Sequence, residues 1–236
     1  MALSKQDVFA RAARGDLKAP QLIPGFQGND DGLENRTPID NSVIGSLGDG
    51  GKAEIDAAVK VARVCFEAGT WRKRSPGERK AAMLAWCDLL QEHAEELAAL
   101  DCIDAGKPID ECENTDIPAT IDTLRWYAEA ADKVYGRIAP TGPNATGLIV
   151  KEPVGVVGAV LPWNFPAQMY AWKVGPALVT GNSVIVKPAE LTPLSAVRMT
   201  ELAREAGIPA EALIVVNGLG EHAGEALGRH MDVDVV

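Results

Sequence analysis

A chain of 236 residues, 47% of them hydrophobic and 24% charged, is long enough for one large α/β domain, alone or with an appendage. Its net charge of −10 argues against nucleic acid or an anionic membrane as the main partner. No apolar run reaches the ~18–20 residues of a membrane-spanning helix, and the first residues lack a secretory apolar segment, so we expect a cytoplasmic protein.

The cysteines and histidines indicate no metal site. Cys65, Cys87, Cys102 and Cys112 include no Cys-x-x-Cys pair, and the three histidines form no ligand cluster with them. Cys65 and Cys87 lie in helical patterns and are interpreted as small buried hydrophobes. Cys102 and Cys112 have acidic neighbours, which disfavour the reactive thiolate. None of the four is expected to be catalytic.

The pattern changes from turn-rich to helical near residue 50. The first ~50 residues are rich in Gly, Pro, Asn and Asp, which predicts turns with short extended pieces such as QLIPGF and VIGSL. From Lys52 the apolar residues recur at helical spacing, which predicts a helix with one buried face. That face consists of Ile55, Val59, Ala62 and Phe66.

Two further helical regions are predicted before residue 136. The capping-box sequence SPGE, which starts at Ser75, precedes the run KAAMLAWCDLLQEHAEELAAL, and the Gly-Lys-Pro sequence at 106–108 ends this region. The next helix is predicted from about Asp116 to Gly136. Its expected buried stripe is Ile121, Leu124, Ala128, Ala131 and Tyr135.

Residues 137–153 predict a β-hairpin that leaves the main body. The sequence RIAPTGPNATGLIVKEP has turn residues and a short β-like piece, with no room for a helix. The edges of such a hairpin need covering, and a partner subunit is one way to cover them. The segment is therefore predicted to be an oligomerisation arm.

From Val154 apolar strands alternate with helices. The predicted order is the strand VGVVGAVL, a helix over 166–179, the strand SVIVK, a helix with Thr192 as its N-cap, the strand LIVV, a helix at about 221–229 and the strand VDVV. This alternation predicts an α/β fold with a doubly wound parallel sheet. Because the chain stops within the last strand, before a covering helix, we expect it to be incomplete at the C-terminus.

Turn-rich sequences follow three of these strands: PWNF, KPAE and NGLGEHAG. Ligands of doubly wound sheets bind at the carboxyl ends of strands, which predicts a binding site there. Gly218 and Gly220 are followed by three residues before Gly224, whereas the dinucleotide fingerprint has two, so a tight strand-to-helix turn remains an equal alternative. Asn164 as a turn-forming residue and Glu190 as a solvated acid are the corresponding structural alternatives.

The sequence LPWNFP, followed by WKVGPALVTGNSVIVKPAELTPLSA, resembles the aldehyde dehydrogenase superfamily. The similarity extends upstream through FEAGTWRKRSPGERKAAML and the Gly-Lys-Pro sequence, and downstream through AGIPAEALIVVNGLGEHAG. The segments DIPATIDTLRWYAEAADKVYG and EPVGVVGAVLPWNFP resemble bacterial enzymes that act on γ-glutamyl-γ-aminobutyraldehyde. The resemblance implies NAD(P)-dependent oxidation of an aldehyde to a carboxylic acid by a homo-oligomer, dimer or tetramer, with NAD expected over NADP.

The resemblance also implies roles for individual residues. Asn164 matches the oxyanion-hole asparagine, whose amide stabilises developing negative charge. Lys187 and Glu190 match the pair that holds the adenine-side ribose. The implied cofactor-binding residues are Leu161, Pro162, Trp163, Asn164, Lys187, Pro188, Ala189, Glu190, Gly220 and Gly224.

The resemblance implies a division of the chain into three parts. Residues 1–136 would form an N-terminal segment and helices of the cofactor domain, residues 137–153 an oligomerisation hairpin, and residues 154–236 a Rossmann-like cofactor-binding core. The family's TGS loop, general-base glutamate and nucleophilic cysteine would all lie beyond Val236, so the chain alone is expected to be inactive. A non-catalytic nucleotide-binding module and a subunit-joining interaction module remain as alternatives.

Overall fold

A computed structural model describes residues 2–30 and 32–236, which form nine α-helices and eight strands in three sheets. The helices are α1 (Lys5–Ala13), α2 (Lys52–Ala68), α3 (Pro76–Glu92), α4 (Ala94–Ala105), α5 (Ile109–Glu111), α6 (Ile117–Ala130), α7 (Pro166–Val179), α8 (Leu194–Glu205) and α9 (Glu225–Arg229). The strands are β1 (Leu17–Ala19), β2 (Leu33–Arg36), β3 (Val43–Leu47), β4 (Arg137–Ala139), β5 (Gly147–Ile149), β6 (Val156–Val160), β7 (Ser183–Lys187) and β8 (Leu213–Val215). Two π-helical turns, Cys112–Asp116 and Gly220–Gly224, precede α6 and α9.

The predicted parallel sheet is confirmed, with the order β6-β7-β8. All of β7 is buried, as its apolar sequence indicates. Val184 and Val186 on one face pack into the same apolar cluster as residues of α7 and α8, whereas Ile185 on the other face packs with residues of α2. Helices therefore cover both faces of the sheet, which is the doubly wound arrangement.

The predicted strand VDVV is reduced to a single parallel bridge between Val157 and Val235. Val157 also pairs with Val184, so the bridge lies on the edge of β6 opposite β7. Asp234 fixes this register because its Oδ2 accepts the N–H of Val156 at 2.7 Å and an Nη2–H of Arg63 at 2.6 Å. After β6 the chain adds β7 and β8 on one side of that strand, and then returns to place Val235 on the other side. Doubly wound sheets bind ligands at such switch points.

A second sheet, in the order β1-β3-β2, forms from the turn-rich N-terminal segment. The extended piece VIGSL is β3, as predicted, but QLIPGF contributes only an isolated antiparallel bridge from Leu22 to Val215. The helix α1 is absent from the sequence-based prediction. Ser4 and Asp7 form a capping box there, a signal that the sequence contains but that uses Asp in place of the more usual Glu or Gln.

Two helical predictions need correction. The run that begins at Ser75 is two helices, because His93 leaves helical geometry and contacts Glu96, which also pairs with Arg198 of α8. The next helix ends at Ala130 instead of Gly136, so Tyr135 is 75% exposed instead of buried. The other predicted positions of that stripe are buried or half-buried.

The helix after β7 starts two residues beyond the predicted N-cap. Leu194 is its first residue, and Pro193 occupies the cap position without a side-chain hydrogen bond. Thr192 is buried and does not cap the helix. The helix predicted from Lys52 is confirmed as α2, with Ile55, Val59 and Ala62 buried and Phe66 half-buried, and the helix predicted over 166–179 is confirmed as α7.

Residues 137–153 contain an antiparallel hairpin of β4 and β5 that exposes several apolar side chains. Ile138, Leu148 and Val150 are each at least 70% exposed. The division of the chain into three parts and the subunit-joining role of this hairpin stay predictions. No helix in the described residues is both long and apolar enough to cross a membrane.

Candidate active site

The ends of β6 and β7 bring two of the predicted site segments side by side. Val160 and Lys187, the last residues of the two strands, are register partners. The pairing continues for one more bond, since the N–H of Leu161 donates to the carbonyl oxygen of Lys187 at 3.0 Å. The corner that carries Asn164 and the loop that carries Glu190 therefore leave the sheet together at its carboxyl edge.

The corner between β6 and α7 presents Asn164 to solvent. Pro162 follows the strand and Pro166 is the first residue of α7, where its missing N–H and fixed φ are compatible with the helix start. Asn164 is exposed, and its carboxamide makes no hydrogen bond to the described residues. Trp163, beside it, is 58% exposed. The amide is thus available to an outside acceptor.

Lys187 and Glu190 form an ion pair at the end of β7. The Nζ of Lys187 lies 2.7 Å from Oε2 of Glu190, and the lysine side chain is only 2% exposed whereas that of Glu190 is 35% exposed. Partial burial acts to raise the pKa of Glu190, but hydrogen bonds from Lys187 and from the backbone of Glu190 and Gly220 outweigh it, so this pKa lies below its usual value. An ionised carboxylate is therefore held at the surface over a buried ammonium group.

The three glycines after β8 differ in what a side chain at each position would meet. At Gly218, which has a φ of +151°, a Cβ would lie 2.3 Å from the carbonyl oxygen of Gly50, so this glycine permits close packing of two chain segments. A Cβ at Gly220 would meet nothing within 4 Å, and one at Gly224 would lie 3.9 Å from Cδ of Lys187. A structural reason, backbone conformation and packing, thus accounts for Gly218, while Gly220 and Gly224 border Glu190 and Lys187.

The remaining predicted site residues lie beneath the surface of this edge. Leu161, Pro188 and Ala189 are buried, and Pro162 is half-buried. They pack beneath the corner that carries Asn164 and the loop that carries Glu190. Trp163 and Glu190, by contrast, line a cavity of about 450 Å³ that also contacts Asn35, Asp104 and Thr192.

All four cysteines are buried and unpaired by disulfides. Desolvation raises the pKa of each thiol, to about 11 at Cys87 and about 12 at Cys112. Thiols of this kind are poor nucleophiles at neutral pH. Among the described residues no cluster of His, Cys, Asp and Glu could hold a metal ion.

Sequence reasoning overlooked the buried acids of α4. Asp101 and Asp104 are acidic neighbours of Cys102, and both are buried, at 1% and 2% exposed. Burial raises the pKa of Asp101 to about 6 and that of Asp104 to about 8. The signal in the sequence was the apolar stretch LAAL directly before Asp101, because acids on a buried part of a helix need partners.

The comparison with protein families decides the class. The family model described as "Aldehyde dehydrogenase family" matches residues 26–236. The chain belongs to the aldehyde dehydrogenase family. An aminoacetaldehyde dehydrogenase of Pseudomonas aeruginosa is 49% identical over 99% of this chain and 48% of its own length. The NADP/NAD-dependent aldehyde dehydrogenase PuuC of Escherichia coli is 48% identical over 86% of the chain and 41% of its own length.

Solved aldehyde dehydrogenase structures share the fold. A γ-glutamyl-γ-aminobutyraldehyde dehydrogenase from Burkholderia cenocepacia superposes with a TM-score of 0.92 at 44% identity, and this covers 99% of the chain and 48% of that protein. An indole-3-acetaldehyde dehydrogenase in complex with NAD+ gives the same TM-score and coverage at 42% identity. The chain thus spans about half the length of the aldehyde dehydrogenases that it matches.

Proposed function

We propose that the protein to which this chain belongs oxidises an aldehyde to a carboxylic acid with NAD, and that this chain supplies the cofactor site and the oxyanion-hole amide. The ion pair of Lys187 and Glu190, set beside the Asn164 corner by the register of β6 and β7, is the observation that supports it most directly. Family membership supports the reaction class.

The loop after β7 fits the adenosine side of a dinucleotide. The half-exposed carboxylate of Glu190 can accept hydrogen bonds from both ribose hydroxyls, and Lys187 holds it in place. The open space at Gly220 and Gly224 leaves room for a flat base beside them. When bound, the nicotinamide of such a cofactor supplies the hydride acceptor for aldehyde oxidation.

Asn164 fits the role of an oxyanion donor. Its exposed amide can donate a hydrogen bond to an aldehyde oxygen that becomes negative when a nucleophile attacks the carbonyl carbon. The short, proline-bounded corner limits its backbone, so the donor needs little reorganisation. Since the four cysteines here are buried with raised pKa values, the proposal assigns the nucleophile to residues outside this sequence.

The hairpin of β4 and β5 supports a homo-oligomer. Its exposed Ile138, Leu148 and Val150 would be buried if the hairpin paired with a second copy. Sedimentation velocity of the natural protein, compared with an Ile138→Ser, Leu148→Ser variant, tests this proposal. We expect the variant to dissociate. An unchanged sedimentation coefficient would place the subunit contacts elsewhere.

Titration with ADP-ribose tests the cofactor site without requiring turnover. Binding would be followed by the change in tryptophan fluorescence, to which Trp163 should contribute because it is exposed and lines the same cavity as Glu190. We expect saturable binding that Glu190→Ala weakens at least tenfold, because one side chain supplies the hydrogen bonds to both ribose hydroxyls. Glu92→Ala, at an exposed position of α3, is the matched control. Lack of binding by the wild-type protein would reject the cofactor site.

Turnover separates the enzyme from a binding module. The natural protein would be assayed for NADH formation at 340 nm with aminoacetaldehyde, γ-glutamyl-γ-aminobutyraldehyde and indole-3-acetaldehyde. Aldehyde-dependent NADH formation is the expected result. Binding of ADP-ribose with no turnover on any aldehyde would favour the non-catalytic nucleotide-binding alternative.

A further inference from the structure

The last turn of α4 and the Gly-Lys-Pro sequence that follows it have no role in the function proposed above. Asp101 and Asp104 lie one turn apart on α4, so both carboxyl groups lie on the same side of the helix. Gly106 ends the helix in the left-handed conformation, with a φ of +68°, and Lys107 follows. This short segment, residues 101–107, contacts both site loops.

Asp104 supplies the cap that α8 lacks. Pro193 precedes α8 and makes no side-chain cap, but the first N–H of the helix, that of Leu194, donates to Oδ2 of Asp104 at 2.9 Å. The two residues are 90 positions apart. The other oxygen of Asp104 accepts a hydrogen bond from Nδ2 of Asn35 at 2.7 Å, which links the acid to β2. Asp104 therefore connects the end of the loop that carries Lys187 and Glu190 to both α4 and β2.

Lys107 makes the corresponding contact with the Asn164 corner. Its Nζ lies 3.9 Å from the centroid of the Phe165 ring, and Phe165 directly follows Asn164. Asp116, which is buried, pairs with the same ammonium group and holds it there. The helix α7 also lacks a side-chain cap from Phe165, and Asp101 Oδ2 is 3.5 Å from the N–H of Ala167 in its first turn.

We propose that Asp104 and Lys107 are positioning residues: Asp104 sets the loop of Lys187 and Glu190, and Lys107 sets the corner of Asn164. The inference rests on the proposed function for its consequences, but its structural part does not require it. The two halves of the site are then both held by the segment at the C-terminal end of α4. The assignment predicts that the two residues affect different measurements.

The structural part can be tested by hydrogen exchange alone. Asp104→Ala frees the N–H of Leu194, so exchange in peptides covering 188–196 should rise at least tenfold. Asp104→Asn retains an acceptor and should restore most of the protection. Glu78→Ala removes the capping box of α3 and is the matched control for lost helix capping. It should leave exchange in 188–196 unchanged.

The functional part is tested in the natural protein by measuring, for each variant, both the Kd for ADP-ribose and kcat. Asp104→Ala should weaken ADP-ribose binding about tenfold, with Asp104→Asn close to wild type. Lys107→Met, combined with Asp116→Asn to avoid an unpaired buried acid, should lower kcat roughly tenfold and leave the Kd for ADP-ribose unchanged. Lys107→Arg retains a cation over the ring and should restore kcat.

The outcomes distinguish the two proposals. If wild-type protein binds no ADP-ribose but Asp104→Ala still raises exchange in 188–196, the proposed function fails and the positioning of the loop stands. If exchange in 188–196 is the same in Asp104→Ala as in wild type, the positioning proposal is wrong. Equal losses of ADP-ribose binding in both the Asp104 and Lys107 variants would also overturn it, because a general structural defect would explain them.

Discussion

Glu190 covers the buried ammonium group of Lys187, with 2.7 Å between Nζ and Oε2. Lys187 ends a strand that is buried along its whole length, and among the described residues Glu190 is the carboxylate that pairs with its buried charge. The Lys187 side chain is enclosed by the protein, and it holds the carboxylate of Glu190 at a position that solvent can reach. The pair therefore offers a hydrogen-bond acceptor that is both held in place and accessible, as the proposed binding of a ribose requires.

The first prediction concerns cofactor choice. We expect a higher kcat/KM with NAD than with NADP, because the charge of Glu190 would repel a 2′-phosphate on the ribose that it is proposed to bind. Glu190→Gln should reduce this preference by removing the charge. Glu225→Gln, on the surface of α9, is the control. A wild-type protein that uses NADP more efficiently would contradict the placement of Glu190.

Asn164→Ala should lower kcat by about 10²–10³, the usual effect of losing one oxyanion-hole donor. The melting temperature should stay within about 2 °C of wild type, since the side chain is exposed and bonds to none of the described residues. Asn144→Ala, in the hairpin loop, provides the comparison. Turnover at the wild-type rate would mean that Asn164 is only a turn residue.

The four thiols should be unreactive in the folded protein. Burial raises their pKa values and shields them from reagent, so dithionitrobenzoate at pH 7.5 should label none of Cys65, Cys87, Cys102 and Cys112 within minutes. All four should react after unfolding in guanidinium chloride. Rapid labelling of any one in the native state would reopen the question of a nucleophile within this chain.

The 236-residue chain on its own should not oxidise aldehydes. It has no exposed cysteine, and a covalent mechanism needs a thiolate beside the nicotinamide. It should retain weak binding of ADP-ribose through Glu190, and it should aggregate readily because the hairpin exposes apolar side chains. Robust NADH formation by the verified chain, or a sharp melt of a soluble monomer, would contradict these expectations.

Stability should depend on pH through Asp104. Burial raises its pKa from an ordinary value of 3.8 to about 8, and the negative charge of Asp101 acts in the same direction. Between these values the unfolded chain has released the proton that the folded chain keeps, so the free energy of unfolding should fall as pH rises from about 4 to 8. Urea unfolding at several pH values should show a flatter profile for Asp104→Asn. An identical profile in both proteins would argue against a protonated Asp104.

Much of the fold follows from local patterns. The apolar strands around Val184 and the helices between them have the periods of buried strands and amphipathic helices, and these periods depend only on neighbouring residues. The capping box at Ser75 and the proline corner at Asn164 are equally local. The ion pair of Lys187 and Glu190 spans three residues, so the sequence already places its partners close together.

The resemblance to a known family, and not periodicity, pointed to the roles of the site residues. The sequence alone left Asn164 and Glu190 open to interpretation as turn and surface residues. Residue type and spacing cannot show whether a side chain has an internal partner. The exposed amide of Asn164 and the half-exposed carboxylate of Glu190 became known only from their surroundings.

The tertiary structure decided the features that join distant parts of the chain. His93 interrupts the helical run at a point without Gly or Pro, where Glu96 binds it and also binds Arg198, 102 residues further along. Asp104 caps a helix 90 residues away, and Gly50 packs so closely against Gly218 that a side chain there would collide with its carbonyl oxygen. Contacts of this kind depend on how the elements pack. A local pattern cannot encode them, since each residue's nearest partners are set by the fold as a whole.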